Sequence, residues 1–355
     1  MDKFRIDSHK LMFHVQRLNT WLEGKVVYPL YLEISPAGCC NHRCIFCAYD
    51  FVGYKQNFIN TAILKRRLTE MASLGVKSIL YSGEGEPLLH DDIATIIKHT
   101  KRIGIDVALA TNGVFLDKAM ADSILGDLAW IKISINAGTK ETYALIHRAS
   151  AADFERVIKN LSYAVRLKRQ KKYKCAIGMQ ILLLPENSKE ILTLARRAKE
   201  IGVDYLVVKP YSQHPLSITT RYKHIKYTHY IQLADKLKAF DDDNFAVIFR
   251  IATMKKWDKA THPYKHCYAL PFWAHIASDG NIWGCPVYLG DKRFFCGNIY
   301  QSAFKRIWQD INRRNLIVLA ENRLDIAQCR VNCRMDEVNR FLWELKNPPA
   351  HLNFI

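Results

Sequence analysis

From residue 31 to about residue 210 the chain alternates short apolar runs with amphipathic stretches whose apolar positions recur every three to four residues. The strand-like runs fall at 31–35, 76–82, 106–111, 129–135, 176–184 and 205–209, and helical patterns include 63–74, 91–103, 140–168 and 189–201. Six β/α repeats with short connections predict an α/β protein, its parallel sheet curved into a partial (β/α)6 barrel of the TIM type. Such a sheet places its chemistry on the loops leaving the strand C-termini.

After Pro210 the pattern changes. Residues 211–265 read as a connecting helical segment rich in aromatic and basic side chains, and 266–347 as a small α+β region bearing five cysteines. Asp279-Gly280 between two apolar runs is a hairpin signal that would fold Cys285 back towards Cys267. Residues 1–30 read as an amphipathic helical lead-in and 348–355 as a short tail.

Cysteine spacing changes the picture most. Cys40, Cys44 and Cys47 form C-x3-C-x2-C on the loop after the first strand. Three thiolates on one loop can hold three irons of a [4Fe-4S] cube and leave the fourth open, whereas a structural site usually closes with a fourth protein ligand. Zinc, with His42 or Cys39 as fourth ligand, and a disulfide are the alternatives. Downstream, Cys267 and Cys285 (C-x12-G-x4-C around Gly280) and the Cys329-x3-Cys333 pair offer a four-thiolate cage for a second cluster, with structural zinc as the alternative. Cys296 is open to either role, and Cys39 and Cys175 read as bystanders.

Ten cysteines with no export-like apolar leader point to metal ligation in a cytoplasmic protein. No stretch approaches the length of a membrane span. The formal net charge of +18 favours an anionic partner without choosing among metabolite, nucleic acid and acidic peptide. The densest basic run, Arg166 to Lys174, reads as a solvated helix end.

On the cysteine triplet and the loops that follow, the chain resembles the radical S-adenosylmethionine (radical SAM) superfamily. The resemblance implies a SAM-binding [4Fe-4S] cluster and SAM itself. Gly83, Glu84, Gly85 and Glu86 after the second strand are similar to the family's GGEP segment, which contacts the SAM amino group. Asn112 follows the third strand, and Ser134 and Asn136 end the fourth, where the family reaches the ribose or carboxylate of SAM. Gln180 in the fifth strand is a candidate for the ribose. Residues 266–347 resemble the twitch form of the SPASM auxiliary-cluster domain, which implies one second [4Fe-4S] cluster held by Cys267, Cys285, Cys329 and Cys333.

By that resemblance the expected chemistry is hydrogen abstraction by a 5′-deoxyadenosyl radical. The single auxiliary cluster is similar to the layout of aminocyclitol and sugar dehydrogenases. The leading expectation is therefore oxidation at a carbinol carbon of a small polar, anionic or sugar-like substrate, with flavodoxin or ferredoxin as reductant. Arg250 and His214 are the catalytic candidates, and Lys209, Tyr211 and Gln213 lie on the same side. A ribosomal-peptide maturase is the second expectation. Nucleic-acid modification, supported by charge and the stretch Arg221 to Tyr227, is the third.

Overall fold

The computed structural model describes residues 5, 6 and 8–354. In chain order the regular elements are α1 (Val15–Leu22), β1 (Tyr31–Ile34), α2 (Thr61–Ser73), β2 (Ser78–Tyr81), α3 (Ile93–Arg102), β3 (Asp106–Thr111), α4 (Lys118–Ile124), β4 (Trp130–Ser134), α5 (Lys140–His147), α6 (Ala151–Lys171), β5 (Ala176–Leu183), α7 (Ile191–Ile201) and β6 (Tyr205–Pro210). They continue with α8 (Leu233–Lys238), β7 (Ala246–Phe249), α9 (Ile251–Lys259), β8 (Trp273–Ile276), β9 (Asn281–Trp283), β10 (Phe295–Asn298), α10 (Phe304–Gln309), α11 (Ile311–Asn322) and α12 (Asp336–Lys346).

Strands β1 to β6 pair in sequence order, all parallel. Two further parallel strands extend them. β7 joins β6, inside a segment read from sequence as helical, and β8 joins β1 from the other side. The second cysteine-bearing region thus shares the barrel's own sheet. The Asp279-Gly280 turn, with Gly280 at φ +81°, returns the chain antiparallel into β9, and β10 closes the edge.

One expected helix is two. The pattern over 140–168 breaks after His147, because Arg148 adopts a left-handed conformation (φ +47°) and Ser150 caps α6 by accepting from the Ala152 amide. The break ends α5 at His147, beside the first cysteine loop.

Alternation along the strands separates two layers. Leu32, Ile34, Ile131, Ile133, Ile177 and Ile181 face the helices and are fully buried, each contributing roughly 1.5–3 kcal/mol by leaving water. The opposite faces point into the barrel. Its floor is Tyr205, Val207 and Ile248 with Ala176 and Ile6. The Tyr205 ring lies so close over Gly178 that a Cβ there would meet it at 2.1 Å. The barrel is therefore filled at one end and open at the strand C-termini. Its curvature is visible in charge: Lys132 on β4 is influenced by Glu33 on β1 and by Arg250 beyond β7. In a flat sheet β1 and β4 would lie about 14 Å apart.

Candidate active site

The triplet Cys40, Cys44 and Cys47 lies on the loop between β1 and α2, and the sequence fixes that loop from three sides. Arg43 and Ile45 amides donate to the carbonyls of His147 and Ile146 (3.1 and 2.9 Å). The Glu86 amide donates to the Cys39 carbonyl at 2.8 Å, and Asn41 accepts from Asn112 at 2.7 Å. Arg43 stacks over Tyr54 at 4.1 Å. Burial raises the Cys40 and Cys44 thiols first; the Glu86 carboxylate and then Cys47 add to it at Cys40, to about 12, and Cys47 and Cys40 add to it at Cys44. Three sulfurs that repel each other as thiolates fit a cationic iron–sulfur group.

His147, which sequence reasoning missed, faces the Cys44 sulfur through Nδ1 (3.2 Å) and the Ile135 carbonyl through Nε2 (2.9 Å). Burial lowers its pKa to about 3, so it stays neutral. Ligand atoms of His42, Cys44 and His147 lie within 4.8 Å of one another. With both His147 nitrogens engaged, we read this group as support for the loop.

The glycine loop after β2 is shaped by close approach. A Cβ on Gly85 would meet the Cys39 carbonyl oxygen at 2.1 Å, and one on Gly83 (φ +109°) would meet Ser35 Oγ at 1.8 Å. The two carboxylates, expected to accept from an ammonium group, are engaged within the protein. Glu86 accepts from Thr111 Oγ1 (2.6 Å), the Asn112 amide (2.8 Å) and the Leu88 amide (3.0 Å). Burial raises its pKa against the pull of those donors. Glu84 accepts from Ser278 Oγ at 2.8 Å, just after β8, and lies 3.8 Å from His275 within β8. Burial opposes its ionisation, but His275 and Ser278 outweigh it and hold the carboxyl below its ordinary value. Without a ligand, the carboxylates of this loop are thus engaged by protein donors, Glu86 above all.

Ser134 and Gln180 are cross-strand neighbours on the inner face of β4 and β5. Asn136, at φ +53°, instead accepts from the Leu182 amide at 2.8 Å and is fully buried, so its side chain ties β4 to β5.

Cys267, Cys285, Cys329 and Cys333 line one cavity with Tyr288 and Asn339. Asn339 donates to Cys267 Sγ (3.5 Å), Tyr288 lies 3.2 Å from Cys329 Sγ, and the Met335 amide donates to Cys333 Sγ (3.4 Å). Burial first and neighbouring thiols next raise the Cys333 pKa to about 12 and hold that of Cys285 well above its ordinary value. Four thiols lining one cavity again fit a cationic cluster. Cys296 faces the Phe294 carbonyl, outside that lining.

The barrel mouth carries the substrate-side candidates. For His214, the general-base candidate, Nε2 faces the Pro286 carbonyl (3.2 Å), Nδ1 accepts from the Leu216 amide (3.1 Å), and the ring stacks on Phe51. Burial and the Arg330 charge lower its pKa to about 4. Tyr222 and Tyr227 are buried. Tyr222 donates to Glu186, which also pairs with Arg221, and Tyr227 donates to the Leu183 carbonyl, so this stretch offers no stacking rings to a nucleic acid. Arg250, Lys132 and Lys209 share the inner space with two arginines sequence reasoning passed over. Arg330 donates to the Ser212 carbonyl (2.7 Å), and Arg334 donates to Glu33 (3.1 Å) and to the Tyr31 hydroxyl (2.9 Å). Each directly follows a cysteine of the second set, which was the available signal.

An open parallel α/β barrel with three thiols at the end of its first strand, followed by a four-thiol cavity, defines an iron–sulfur enzyme of the partial-barrel class. The model of the Radical SAM superfamily matches residues 34–205, and that of the SPASM iron-sulfur cluster-binding domain matches 267–334. The chain belongs to the radical SAM superfamily, with a SPASM-type region in its C-terminal part, and its cofactors are SAM, a SAM-binding [4Fe-4S] cluster and an auxiliary iron–sulfur cluster.

It is similar to GTP 3′,8-cyclase of Clostridium acetobutylicum, 34% identical over 120 residues, covering 33% of this chain and 37% of that protein. The similarity to the first such curated relatives spans 37% to 57% of their length. Among solved structures, Streptococcus suis SuiB bound to precursor peptide SuiA superposes with a TM-score of 0.63 at 18% identity, covering 85% of this chain and 69% of that one. Native anSMEcpe with bound AdoMet superposes at 0.60 and 19%, covering 90% and 95%. These likenesses concern the fold. Among the described residues no helix is long and apolar enough to cross a membrane.

Proposed function

We propose that this chain is a radical SAM oxidoreductase that oxidises a carbinol carbon of a small polar, sugar-like or aminocyclitol substrate inside the barrel. Bound SAM and the two clusters supply reductive cleavage, a carbon-centred radical that removes hydrogen, and an acceptor for the second electron. Cys40, Cys44 and Cys47 would hold the first cluster, and Cys267, Cys285, Cys329 and Cys333 the auxiliary one. The backbone at Gly83 and Gly85, with Asn112, Ser134 and Gln180, would position SAM, while Glu84, Glu86 and Asn136 keep those loops in place.

The observation that carries the reading is Arg334: it stands next to Cys333 yet reaches Glu33 and Tyr31 on the first barrel strand. The second cysteine loop therefore lines the same space as the first strand, where an electron leaving the substrate has a short path. Arg250 would orient the substrate hydroxyl. Lys209 is fitted to take its proton, because desolvation and the charges of Lys132, Arg250, Arg334 and Arg330 hold its pKa well below the usual lysine value.

The test is anaerobic iron and EPR analysis together with product analysis. About eight irons are expected, falling to about four in C40A/C44A/C47A, with 5′-deoxyadenosine released one for one with a ketone product. Substrate turnover without loss of two electrons would overturn the oxidoreductase. A peptide substrate is the second reading, prompted by SuiB's precursor peptide; a crosslinked peptide in the same product analysis would establish it.

A further inference from the structure

Lys132 and Lys209 bring two ammonium groups into the barrel interior. Lys132 projects from β4 and Lys209 from β6, flanking β5, whose residue opposite Lys132 is Gly178, without a side chain. Neither ammonium group has an ion pair or hydrogen bond with a carboxylate among the described residues. Lys132 lies 5.6 Å from the Trp130 ring. Arg250 closes the same space from the end of β7, and Arg330 and Arg334 cover it from the second cysteine loop. Among the described residues, the Glu33 carboxylate acts on Lys132. One of its oxygens is committed to Arg334, and the other is buried without a partner. Tyr31 and Tyr49 are the other titratable groups around Arg334.

We propose that this chamber binds a substrate bearing at least two negative charges, on phosphate or carboxylate oxygens, clamped between Lys132 on β4 and Arg330 on the second cysteine loop. This rests on the reading of the barrel as the substrate chamber and narrows its substrate to an anionic sugar-like molecule, setting the cationic aminocyclitol aside. The Lys132 ammonium group and the Arg330 guanidinium, which Ser212 holds in place by accepting from its Nε and Nη2, suit an oxyanion. A neutral sugar would leave the cations repelling one another in a partly dry space, at a cost that an anion removes. Lys132 is held partly neutral without a ligand, at a pKa of about 7 through burial and then Arg334 and Arg250. Anion binding would therefore take up protons.

The experiment is calorimetric titration of the anaerobically reconstituted holoenzyme with inorganic pyrophosphate, with citrate, and with neutral myo-inositol as control. Titrations are run in two buffers of different ionisation heat at pH 8, with and without SAM. Saturable binding of pyrophosphate identifies a phosphate ligand and binding of citrate a carboxylate one. Either should be accompanied by proton uptake and weakened at least tenfold in Lys132→Gln and in Arg330→Gln. The second variant keeps the test valid should the first fail to fold. Absence of binding to both anions, indifference to both substitutions, or loss of binding when SAM is added would overturn the proposal; in the last case the cations serve the carboxylate of SAM. Release of 5′-deoxyadenosine by the reduced enzyme without substrate is read on the same sample. A failed anion site is thereby told apart from failed radical chemistry.

Discussion

Glu84 on the glycine loop accepts a hydrogen bond from Ser278, almost two hundred positions later in the chain, at 2.8 Å. The contact locks the loop that follows β2 to the turn that follows β8. If Glu84 serves the site by holding this lock, Ser278→Ala should weaken SAM binding in the same direction as Glu84→Gln. Each should cost about 1–3 kcal/mol of stability, since a buried charged acceptor or its donor loses its partner. The pH sign follows from the lowered pKa of Glu84. Its contribution is present above the ordinary carboxylate range and is lost as the pH falls through the lowered folded value. Denaturant titrations from pH 7 down to pH 3 should show a smaller acid loss in Glu84→Gln.

Gly85 permits the close approach of the two cofactor loops. With a Cβ meeting the Cys39 carbonyl at 2.1 Å and that of Ala37 at 2.6 Å, Gly85→Ala must push the first cysteine loop away. Overpacking of this kind costs about 1–3 kcal/mol or more. The expected outcome is a folded protein with about four irons instead of about eight, and no SAM-sensitive EPR signal. Full iron content in Gly85→Ala would show that the loop yields without consequence.

Lys132 gives the fold a second pH dependence, opposite in origin. Its folded pKa of about 7 lies below the ordinary lysine value of 10.5, so between those limits the unfolded chain binds more protons. Stability from this group therefore rises with pH across that window, by up to about 1.4 kcal/mol per pH unit. Lys132→Met should flatten the slope between pH 7 and pH 9 in anaerobic denaturant unfolding. An unchanged slope would mean that the ammonium group is solvated in the folded state.

How much of this was legible in the chain depends on the range of each interaction. The cysteine triplet, the glycine loop and the Asp279-Gly280 turn are local signals, since turn geometry and ligand spacing are set within a few residues. The alternation of strands and helices also reads directly, because each β/α unit buries its own apolar stripe. β7 did not read, as four residues amid polar neighbours carry too little periodicity. The roles of Glu84, Glu86 and His214 were not legible, because whether a polar side chain is free or already bonded depends on partners far away in sequence: Ser278, Thr111 and Pro286. The chamber of Lys132, Lys209, Arg330 and Arg334 exists only once β4, β6 and the 329–334 loop converge.

His214 tests that distinction. With Nε2 at the Pro286 carbonyl and Nδ1 at the Leu216 amide, it braces the loop after β6 against the second cysteine region. His214→Gln should lower stability by about 1–3 kcal/mol through the unpaired backbone groups. The pH dependence of kcat should keep its shape, because a ring neutral down to about pH 4 does not titrate in the working range. An acidic limb that disappears in His214→Gln would return this residue to the role of general base.

Cys296 separates the two cysteine populations. It is buried, with its thiol towards the Phe294 carbonyl and Arg313 nearby, and it does not line the cavity of Cys267, Cys285, Cys329 and Cys333. A buried thiol outside the cage behaves as a small apolar side chain, so Cys296→Ala should cost about 1–2 kcal/mol of packing and leave about eight irons in place. Cys285→Ala, by contrast, removes a wall of the cage and should lower the iron content to about four while retaining SAM cleavage at the first cluster. Iron assays on the two variants side by side check the assignment. Loss of about four irons from Cys296→Ala would exchange the roles of the two residues and move the auxiliary cluster towards β10.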